Sequence, residues 1–336
     1  MVNSSNSQED FAVGGQAVIE GVMMRGSKGY SIAVRHPNGE ISVKQETRIP
    51  WHKRNKLLGI PVLRGVVVLI ESLVIGIRAL EFSANIAMEN ESEEAQEKEK
   101  KAFGPVSLGI TFLFSIVLGM FLFVVVPNVA TQWMGIQETA IHSGTTDSGA
   151  QVGLAKQALT SFWFHIVAGI IRILIFLGYI IAISFLKDIR RVFEYHGAEH
   201  KSIFTYESGL ELKVDNVKSF STKHPRCGTS FILMVLLVSI FVFAIVPSVL
   251  SWLTPGFNAL SVWKQKLVLI PLHILLVMPI AGLAYEINKI ASKKQHNRLI
   301  RLFVTPGLWL QHITTKEPDE KQIEVALVAL NKTLEL

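Results

Sequence analysis

Four long apolar stretches dominate the pattern of hydrophobic and polar positions along the chain. They cover residues 103–127, 162–186, 231–253 and 267–284. A run of about 20 apolar residues is long enough to cross the hydrocarbon core of a bilayer as a helix. The pattern therefore predicts a mainly α fold, a polytopic membrane helix bundle with four spans.

A fifth apolar segment, residues 57–80, is interrupted by charged residues. Arg64, Glu71 and Arg78 recur every seven positions, which places them on one stripe of a helix. If this segment crossed the membrane alone, the basic residues between positions 25 and 56 would lie outside, against the positive-inside rule. We therefore interpret the segment as an amphipathic helix that lies at the membrane interface or re-enters the bundle.

Polar segments flank these apolar ones and define the expected domains. In the sequence YSIAVRHPNGEISVKQE, alternation on both sides of a Pro-Asn-Gly turn predicts a β-hairpin. In the last segment, the apolar stripe Ile323, Leu327, Leu330 and Leu334 predicts an amphipathic C-terminal helix. We expect an N-terminal cytoplasmic β module (1–56), the amphipathic helix with a charged linker (57–101), the membrane bundle (102–290) and a cytoplasmic tail (291–336).

Composition and charge support a membrane protein and give it an orientation. Of 336 residues, 49% are hydrophobic and only 18% are charged, below the quarter or so that is usual in soluble domains. Residues 128–161 hold Lys156 as their single basic residue, whereas the 187–226 loop is rich in lysine and arginine. The positive-inside rule then places both termini and the 187–226 loop in the cytoplasm of a multi-pass cell-membrane protein, in bacteria the inner membrane.

The net charge of +6 has the same explanation, together with affinity for anionic lipid headgroups, and it does not indicate nucleic-acid binding. Cys227 is the single cysteine, so no internal disulfide can form. Membrane lipid is the expected partner. A homo-oligomer and a larger membrane complex both stay open.

The sequence EYHGAEHKS, after the second span, carries the clearest candidate chemistry. His196 and His200 are four residues apart and lie on one face of a helix, as two imidazole ligands of a divalent metal require. Glu199 completes an H-x-x-E-H pattern, in which the glutamate acts as a general base that activates water. The alternative is a pair of solvated or hydrogen-bonded histidines without a metal.

Further ligand types occur near the cytoplasmic ends of other spans. His224 and Cys227 lie in KHPRCGTSF before the third span, and Glu286 lies at the end of the fourth. His224 or Glu286 would be a third metal ligand; Cys227 would be a fourth ligand that closes a structural site, or a nearby nucleophile. Zinc suits this set, and manganese and iron accept the same ligand types. The alternatives are a tight turn for His224 and Cys227, and an interfacial charge for Glu286.

Two other polar features are candidates for function or stability. Arg172 lies near the middle of the second span, where an unpaired charge costs about 3 kcal/mol or more. Glu71 is its predicted partner in an intramembrane ion pair. In GGQAVIEGVMMRG, the polar residues Gln16, Glu20 and Arg25 are candidate contacts to substrate or metal, with a buried turn as the alternative.

Five motifs in order carry a family resemblance along nearly the whole chain. They are GGQAVIEGVMMRG, LRGVVVLIESLVIGIRALEFSAN, EYHGAEHK, HPRCGTSF and TPGLWLQHITTKEP. Together they resemble the YqhQ-like family of bacterial membrane proteins, which is regarded as a group of predicted metal-dependent enzymes of unknown function. The resemblance implies a metal site, and the matching positions in this chain are His196, Glu199, His200, His224 and Cys227.

The sequence thus favours an integral membrane protein with a divalent-metal site at the cytoplasmic face. A metal-dependent hydrolase is the first hypothesis, with a peptide or amide bond as substrate because H-x-x-E-H is a peptidase pattern. The second hypothesis is non-enzymatic: a metal-stabilised membrane scaffold, or a component of a transport or assembly complex. An open or closed coordination position distinguishes the two.

Overall fold

The computed structural model describes residues 13–87, 105–136, 150–257, 260–293 and 298–336. The predicted charged linker 89–101 lies outside these residues. The chain forms two compact units: the first comprises Met1–Glu99, Ile180–Leu233 and Tyr285–Leu336, and the second comprises Lys100–Tyr179 and Met234–Ala284. Each unit therefore combines segments that are distant in sequence.

The described helices range from short helical turns of four or five residues to long helices of more than thirty residues. Short 3₁₀ turns at Lys56–Gly59 and Pro255–Phe257 and a π-helical turn at Phe121–Val125 lie between them. In chain order the helices are α1 (Trp51–Arg54), α2 (Leu63–Ala87), α3 (Pro105–Met120), α4 (Val126–Trp133), α5 (Ala150–Ile183), α6 (Lys187–Glu207), α7 (Val214–Lys218), α8 (Gly228–Leu253), α9 (Val262–Lys293), α10 (Arg298–Thr314) and α11 (Glu320–Leu334).

A four-stranded antiparallel sheet forms the N-terminal part of the first unit. Its strands are β1 (Gly14–Val18), β2 (Gly21–Arg25), β3 (Gly29–Arg35) and β4 (Ile41–Thr47), in the order β1-β2-β3-β4. The β3–β4 hairpin confirms the hairpin predicted from the alternating pattern around Pro-Asn-Gly. GGQAVIEGVMMRG forms a second hairpin, in which Glu20 takes a positive φ of 50° in the turn.

Both faces of this sheet are covered by helices, as the two-residue period of its side chains requires. Met23, Ile32 and Val34 belong to a buried cluster with Ile75 and Ala79 of α2. On the opposite face, Val22, Met24 and Ala33 belong to a cluster shared with α6 and α11. The strands therefore serve as a layer between helices from three distant parts of the chain.

Helix α11 confirms the predicted C-terminal amphipathic helix. Asp319 and Gln322 form a reciprocal capping box at its N-terminus. Ile323, Leu327 and Leu330 of the predicted stripe are buried against the sheet and α6. The tail of the chain is thus part of the core around the N-terminal strands.

The four predicted spans are also confirmed by length and composition. Among the described helices, four stretches are long and apolar enough to cross a membrane: Leu113–Trp133, Phe162–Ile183, Gly228–Leu250 and Trp263–Ala291. Within the second unit, α5 packs closely on α8 at Gly169, where an added Cβ would lie 2.6 Å from Ile240. The fold is a mainly helical multi-pass membrane protein with a small sheet.

Helix α2 carries the predicted charged stripe, and each charge has a partner in the first unit. Arg64 pairs with Glu286, Glu71 with Arg25, and Arg78 lies 3.8 Å from Glu46. Apolar residues elsewhere on the helix are exposed: Ile70, Leu73, Ile77 and Leu80. The location of this helix at the membrane interface stays a prediction.

The predicted ion pair between Arg172 and Glu71 is corrected by the partners that the structure gives each residue. Glu71 is fully buried, pairs with Arg25 of β2 and accepts a hydrogen bond from the backbone N–H of Trp51 at 3.1 Å. Arg172 instead donates from Nε to the carbonyl oxygen of Phe123 at 2.6 Å. The prediction failed because Glu71 faces the sheet. The sequence pattern did not reveal that α2 packs on the sheet.

Candidate metal centre

The candidate centre begins on α6, whose C-terminal half is buried in the first unit. His196 and His200 lie one turn apart, and their ring centroids are 4.4 Å apart. Gly197 is required between them because the backbone of Lys316 passes over the helix. A Cβ at position 197 would lie 2.0 Å from the Lys316 carbonyl oxygen, and Lys316 N–H donates to the Phe193 carbonyl at 2.9 Å. A residue that weakens a helix on propensity is here the one that allows close packing.

The third ligand type comes from the residue before α8. Cys227 is buried, and its Sγ lies 3.0 Å from Thr229 Oγ1 and accepts a hydrogen bond from the Thr229 backbone N–H at 3.4 Å. The first N–H groups of a helix have no partner within it, so a sulfur acceptor at this point satisfies one of them. The start of the helix thereby orients the thiol.

These side chains converge on one small volume. His196 Nε2 lies 3.2 Å from Cys227 Sγ. One potential ligand atom from each of His196, His200 and Cys227 lies within 4.8 Å of the other two. Two imidazole nitrogens and one sulfur at such separations match the donor types that zinc prefers.

The outer nitrogens of both histidine rings are held by backbone carbonyls. His196 Nδ1 lies 2.8 Å from the Thr314 carbonyl oxygen, and His200 Nδ1 lies 2.5 Å from that of Thr222. A carbonyl can only accept, so each Nδ1 carries the proton and each Nε2 has a free lone pair. Metal-binding histidines show this arrangement, because the outer contact sets the tautomer and the ring orientation.

Glu199 lies beside the three ligand-type residues but is not one of them. It is 5% exposed and packs on Gly15 of β1, where an added Cβ would be 2.9 Å from its Cγ. Desolvation raises the pKa of this carboxyl, while His196, His224 and the Gly15 backbone N–H act in the opposite direction. A carboxyl whose pKa is raised by burial is a better proton acceptor than an ordinary glutamate.

His224 lies near the centre, but it is outside the three-residue group. Its ring packs on Phe204 at 4.4 Å between centroids and lies 5.6 Å from the ring of His200. Burial lowers the pKa of His224 to about 4. The Gln311 side chain accepts a hydrogen bond from the His224 backbone N–H at 2.8 Å and donates one to the His224 carbonyl oxygen at 2.9 Å. Its Nδ1 accepts a hydrogen bond from the Arg226 backbone N–H at 3.3 Å, and its Nε2 lies 3.4 Å from a carboxylate oxygen of Glu207. The predicted ligand role of His224 stays a prediction.

Glu286 is not part of the centre, which corrects its assignment as a metal ligand. It makes a bidentate ion pair with Arg64 of α2: Arg64 Nε lies 3.0 Å from Glu286 Oε1, and Arg64 Nη2 lies 2.5 Å from Glu286 Oε2. This geometry occupies both carboxylate oxygens. The sequence placed Glu286 at a similar depth to the histidines, but depth alone does not specify the partner.

The three candidate substrate residues of the N-terminal hairpin make contacts that connect secondary structure. Glu20 pairs with Arg191 and accepts from the Tyr195 hydroxyl at 3.2 Å, joining the β1–β2 turn to α6. Arg25 pairs with Glu71 of α2. Gln16 packs on Gly76, where an added Cβ would lie 2.5 Å from its Oε1. A role for Gln16, Glu20 and Arg25 toward a substrate stays a prediction.

Some residues around the centre were not identified by sequence reasoning. The carbonyls of Thr222 and Thr314 orient the two histidines, and Gln311 holds the segment before Cys227. Backbone carbonyls have no side-chain signature, so no motif could have indicated them. The TPGLWLQHITTKEP motif did contain Gln311 and Thr314, and its place in the family resemblance was the available signal.

Comparisons with known proteins agree with the resemblance found in the motifs. A family model described as "Protein of unknown function (DUF1385)" matches residues 60–336. The chain is similar to "Uncharacterized protein YqhQ" of Bacillus subtilis (strain 168), with 34% identity over 330 residues, covering 97% of this chain and 93% of the relative. No solved structure matches. The similarity confirms the predicted family but brings no reaction with it.

Proposed function

The chain belongs to the DUF1385 family, which is described as being of unknown function, and from its own residues we propose that it is a metal-dependent membrane hydrolase. His196, His200 and Cys227 would bind a divalent metal, with zinc as the first choice. The observation that carries the proposal is the pair of Nδ1 contacts to backbone carbonyls, which leave the Nε2 lone pair of each histidine free, together with the 3.2 Å distance from His196 Nε2 to Cys227 Sγ.

A set of three protein ligands favours a catalytic site over a structural one. Structural zinc sites use four protein ligands, whereas catalytic sites keep one position for water or substrate. His196 is only half-buried, whereas His200 and Cys227 are buried, so the open position would lie on the His196 side. A metal bound there would polarise a carbonyl group and lower the pKa of water.

Glu199 is the residue of this chain that would move protons. Its carboxyl lies beside the histidines, and burial raises its pKa. It would accept a proton from the attacking water and return it to the leaving amine, as the H-x-x-E-H pattern implies. A peptide or amide bond is the proposed substrate class.

The proposed location is the cytoplasmic face of the cell membrane, with both termini in the cytoplasm. The positive-inside rule supports it, because the loop that carries the histidines is rich in lysine and arginine. Membrane lipid is the partner proposed for the exposed apolar residues of α2.

The test measures metal content and hydrolysis on purified full-length protein. Wild type should copurify with a stoichiometric divalent metal, measured by mass spectrometry, and cleave members of a fluorogenic peptide library. Glu199→Gln should keep the metal and lose about 100-fold or more in rate, the lower range for general-base removal. His200→Ala should lose both.

His312→Ala is the matched control, because His312 is an exposed histidine of the same unit. It should retain metal and rate. Wild-type protein that binds no zinc, manganese or iron would contradict the metal site. Metal retention by His200→Ala would contradict the assigned ligands.

A second candidate is a metal-stabilised scaffold without catalysis, favoured by the burial of His200 and Cys227 at 2% and 4% exposure. For a scaffold, Glu199→Gln would change nothing that depends on the metal, whereas chelation would lower the thermal unfolding temperature of wild type. For a hydrolase, Glu199→Gln removes the rate while unfolding stays close to wild type.

A further inference from the structure

Helix α2 presents apolar side chains on two opposite sides. On one side, Ile75 and Ala79 are buried in the cluster with the sheet. On the other side, large apolar side chains at spacings of three and four residues form a row that is 38% to 62% exposed: Ile70, Leu73, Ile77 and Leu80. Contiguous apolar surface of this kind marks contact with lipid or with another protein. The described part of the first unit leaves this row uncovered.

A cleft near the start of α2 continues the exposed row. It has a volume of about 420 Å³ and is lined by side chains of α1, the 3₁₀ turn Lys56–Gly59 and α2: Trp51, Arg54, Leu58, Val67 and Ile70. Arg54 is the only charged residue of this lining, and the other four are apolar. Ile70 belongs to both the cleft and the exposed row. The cleft and the row therefore form one surface, which we call the α2 surface.

The chain around the cleft is basic and contains no acidic residue. Residues 48–70 include five lysines and arginines but no aspartate or glutamate. Arg48 and Arg64 form ion pairs with glutamates from outside this segment. The other three are exposed and pair with no carboxylate among the described residues: Lys53, Arg54 and Lys56. A cluster of three exposed positive charges thus lies beside the cleft.

Arg54 connects this charge to the apolar cleft. Its Nε donates to the Ile49 carbonyl at 3.1 Å, and its other guanidinium N–H groups have no partner among the described residues. A guanidinium group can donate two parallel hydrogen bonds to phosphate oxygens. Trp51 lines the same cleft, and tryptophan is enriched where the apolar core of a membrane meets the headgroups. The cleft therefore offers donors for a phosphate next to an apolar lining for hydrocarbon.

We propose that the α2 surface binds an anionic phospholipid. The phosphate would bind Arg54 beside Lys53 and Lys56, and the acyl chains would cover the cleft and the exposed row. The proposal rests on the proposed location of α2 at the membrane and adds the lipid class and the residues that select it. It does not depend on the metal centre.

The three positive charges distinguish an anionic lipid from other occupants of the α2 surface. Attraction to anionic lipid rises with each lysine or arginine near the headgroups, whereas a zwitterionic headgroup carries no net charge. A second copy of this chain is a poorer occupant. In a symmetric dimer the same surface faces itself, so the two sets of Lys53, Arg54 and Lys56 would repel each other.

The test compares two lipids that differ only in the headgroup. Full-length protein is purified in a neutral maltoside detergent and freed of lipid. Dioleoyl phosphatidylglycerol and dioleoyl phosphatidylcholine are then titrated separately at low and constant ionic strength, so that screening stays weak. Binding is followed by the thermal unfolding temperature, which rises with ligand concentration when only the folded state binds. Wild type should show an apparent Kd for phosphatidylglycerol about tenfold or more below that for phosphatidylcholine.

A triple variant tests the charge cluster, and a second one controls for net charge. Lys53→Gln, Arg54→Gln and Lys56→Gln together should raise the apparent Kd for phosphatidylglycerol about tenfold or more and leave that for phosphatidylcholine unchanged. The matched control removes three exposed lysines elsewhere in the first unit and should keep the wild-type preference: Lys28→Gln, Lys213→Gln and Lys321→Gln. Both triple variants should unfold near the wild-type temperature without lipid, because all six side chains are exposed.

Val67→Phe tests the cleft without changing the charge. The larger ring should fill part of the cleft and raise the apparent Kd for phosphatidylglycerol. Wild-type affinity in Val67→Phe would show that the lipid does not use the cleft and would overturn the proposed site.

Three further results would overturn the proposal. One is an equal response of wild type to both lipids, and another is an equal loss of preference in the two triple variants. The third is a dimer in detergent that Leu73→Asn with Ile77→Asn converts to a monomer, since a second copy would then cover the surface. Metal content and peptide hydrolysis are measured on the same preparations. A protein without metal or hydrolysis that still prefers phosphatidylglycerol would contradict the proposed hydrolase and support the lipid site.

Discussion

At the residue scale, the candidate centre depends on the hydrogen bonds that orient each histidine ring. His196 and His200 donate from Nδ1 to backbone carbonyls, which leaves Nε2 of each ring unprotonated, and His196 Nε2 lies 3.2 Å from Cys227 Sγ. His224, only three residues from Cys227, is packed between aromatic rings. The same residue type thus belongs to the three-residue group in two positions and lies beside it, with its Nε2 3.4 Å from Glu207, in a third.

His224 predicts a pH dependence of stability. Burial lowers its pKa to about 4 in the folded protein, whereas an unfolded histidine titrates near 6.5. Between these values the unfolded state binds a proton that the folded state does not, so stability falls as the pH falls from about 6.5 to about 4, by roughly 3 kcal/mol in total. Metal-free protein should therefore unfold at progressively lower temperature over this range.

The variant His224→Asn isolates this effect from other titrating groups. Its unfolding temperature should fall less steeply than that of wild type between pH 7.5 and pH 5, measured by intrinsic fluorescence in detergent with a chelator. His312→Asn, at an exposed position, should follow the wild-type slope. Parallel curves for wild type and His224→Asn would show that His224 is not the titrating group.

At the element scale, helices α6 and α11 build the first unit around the sheet. Helix α6 carries the two candidate histidine ligands, packs on β1 and β2, and shares a buried cluster with α11. The segment before α11 crosses α6 at Gly197, where the Lys316 carbonyl approaches closest. The C-terminal tail therefore supports the same helix that presents the histidines.

Gly197→Ala tests this close approach. Alanine improves helix propensity by about 1 kcal/mol, but its Cβ would lie 2.0 Å from a backbone oxygen, which cannot rotate away. Overpacking costs about 1–3 kcal/mol or more, so the steric effect should exceed the propensity gain. We expect a lower unfolding temperature and a reduced metal content.

Gly178→Ala on α5 is the comparison, because nothing lies within 4 Å of the added Cβ. It should be neutral or slightly stabilising. An unfolding temperature for Gly197→Ala at or above that of wild type would show that the Lys316 segment does not pack on α6 in this way.

At the scale of the whole molecule, the distribution of charge predicts the topology. Four apolar helices are separated by segments with unequal numbers of lysine and arginine. An even number of spans returns the chain to the side where it started. The termini and the 187–226 segment should therefore face the cytoplasm, and the segment between the first two spans should face outward.

Introduced cysteines test this topology in intact cells. Ser143→Cys, between the first two spans, should react with a membrane-impermeant maleimide from outside. Glu335→Cys, exposed directly after the end of α11, should react only after the cells are permeabilised. Wild type supplies the background, since its single cysteine is buried. Outside labelling of Glu335→Cys would contradict the predicted orientation.

The sequence by itself determined the features that depend on local pattern. Apolar run length predicted four spans, alternation predicted the β3–β4 hairpin, and helical periodicity predicted α11 and put His196 on the same face as His200. The tertiary structure decided the features that depend on which distant segments meet. In the folded chain Cys227 lies beside the two histidines, whereas Glu286 pairs with Arg64 and Glu71 pairs with Arg25. The physical reason is that periodicity sets which face a side chain occupies, whereas only packing selects its partner across the chain.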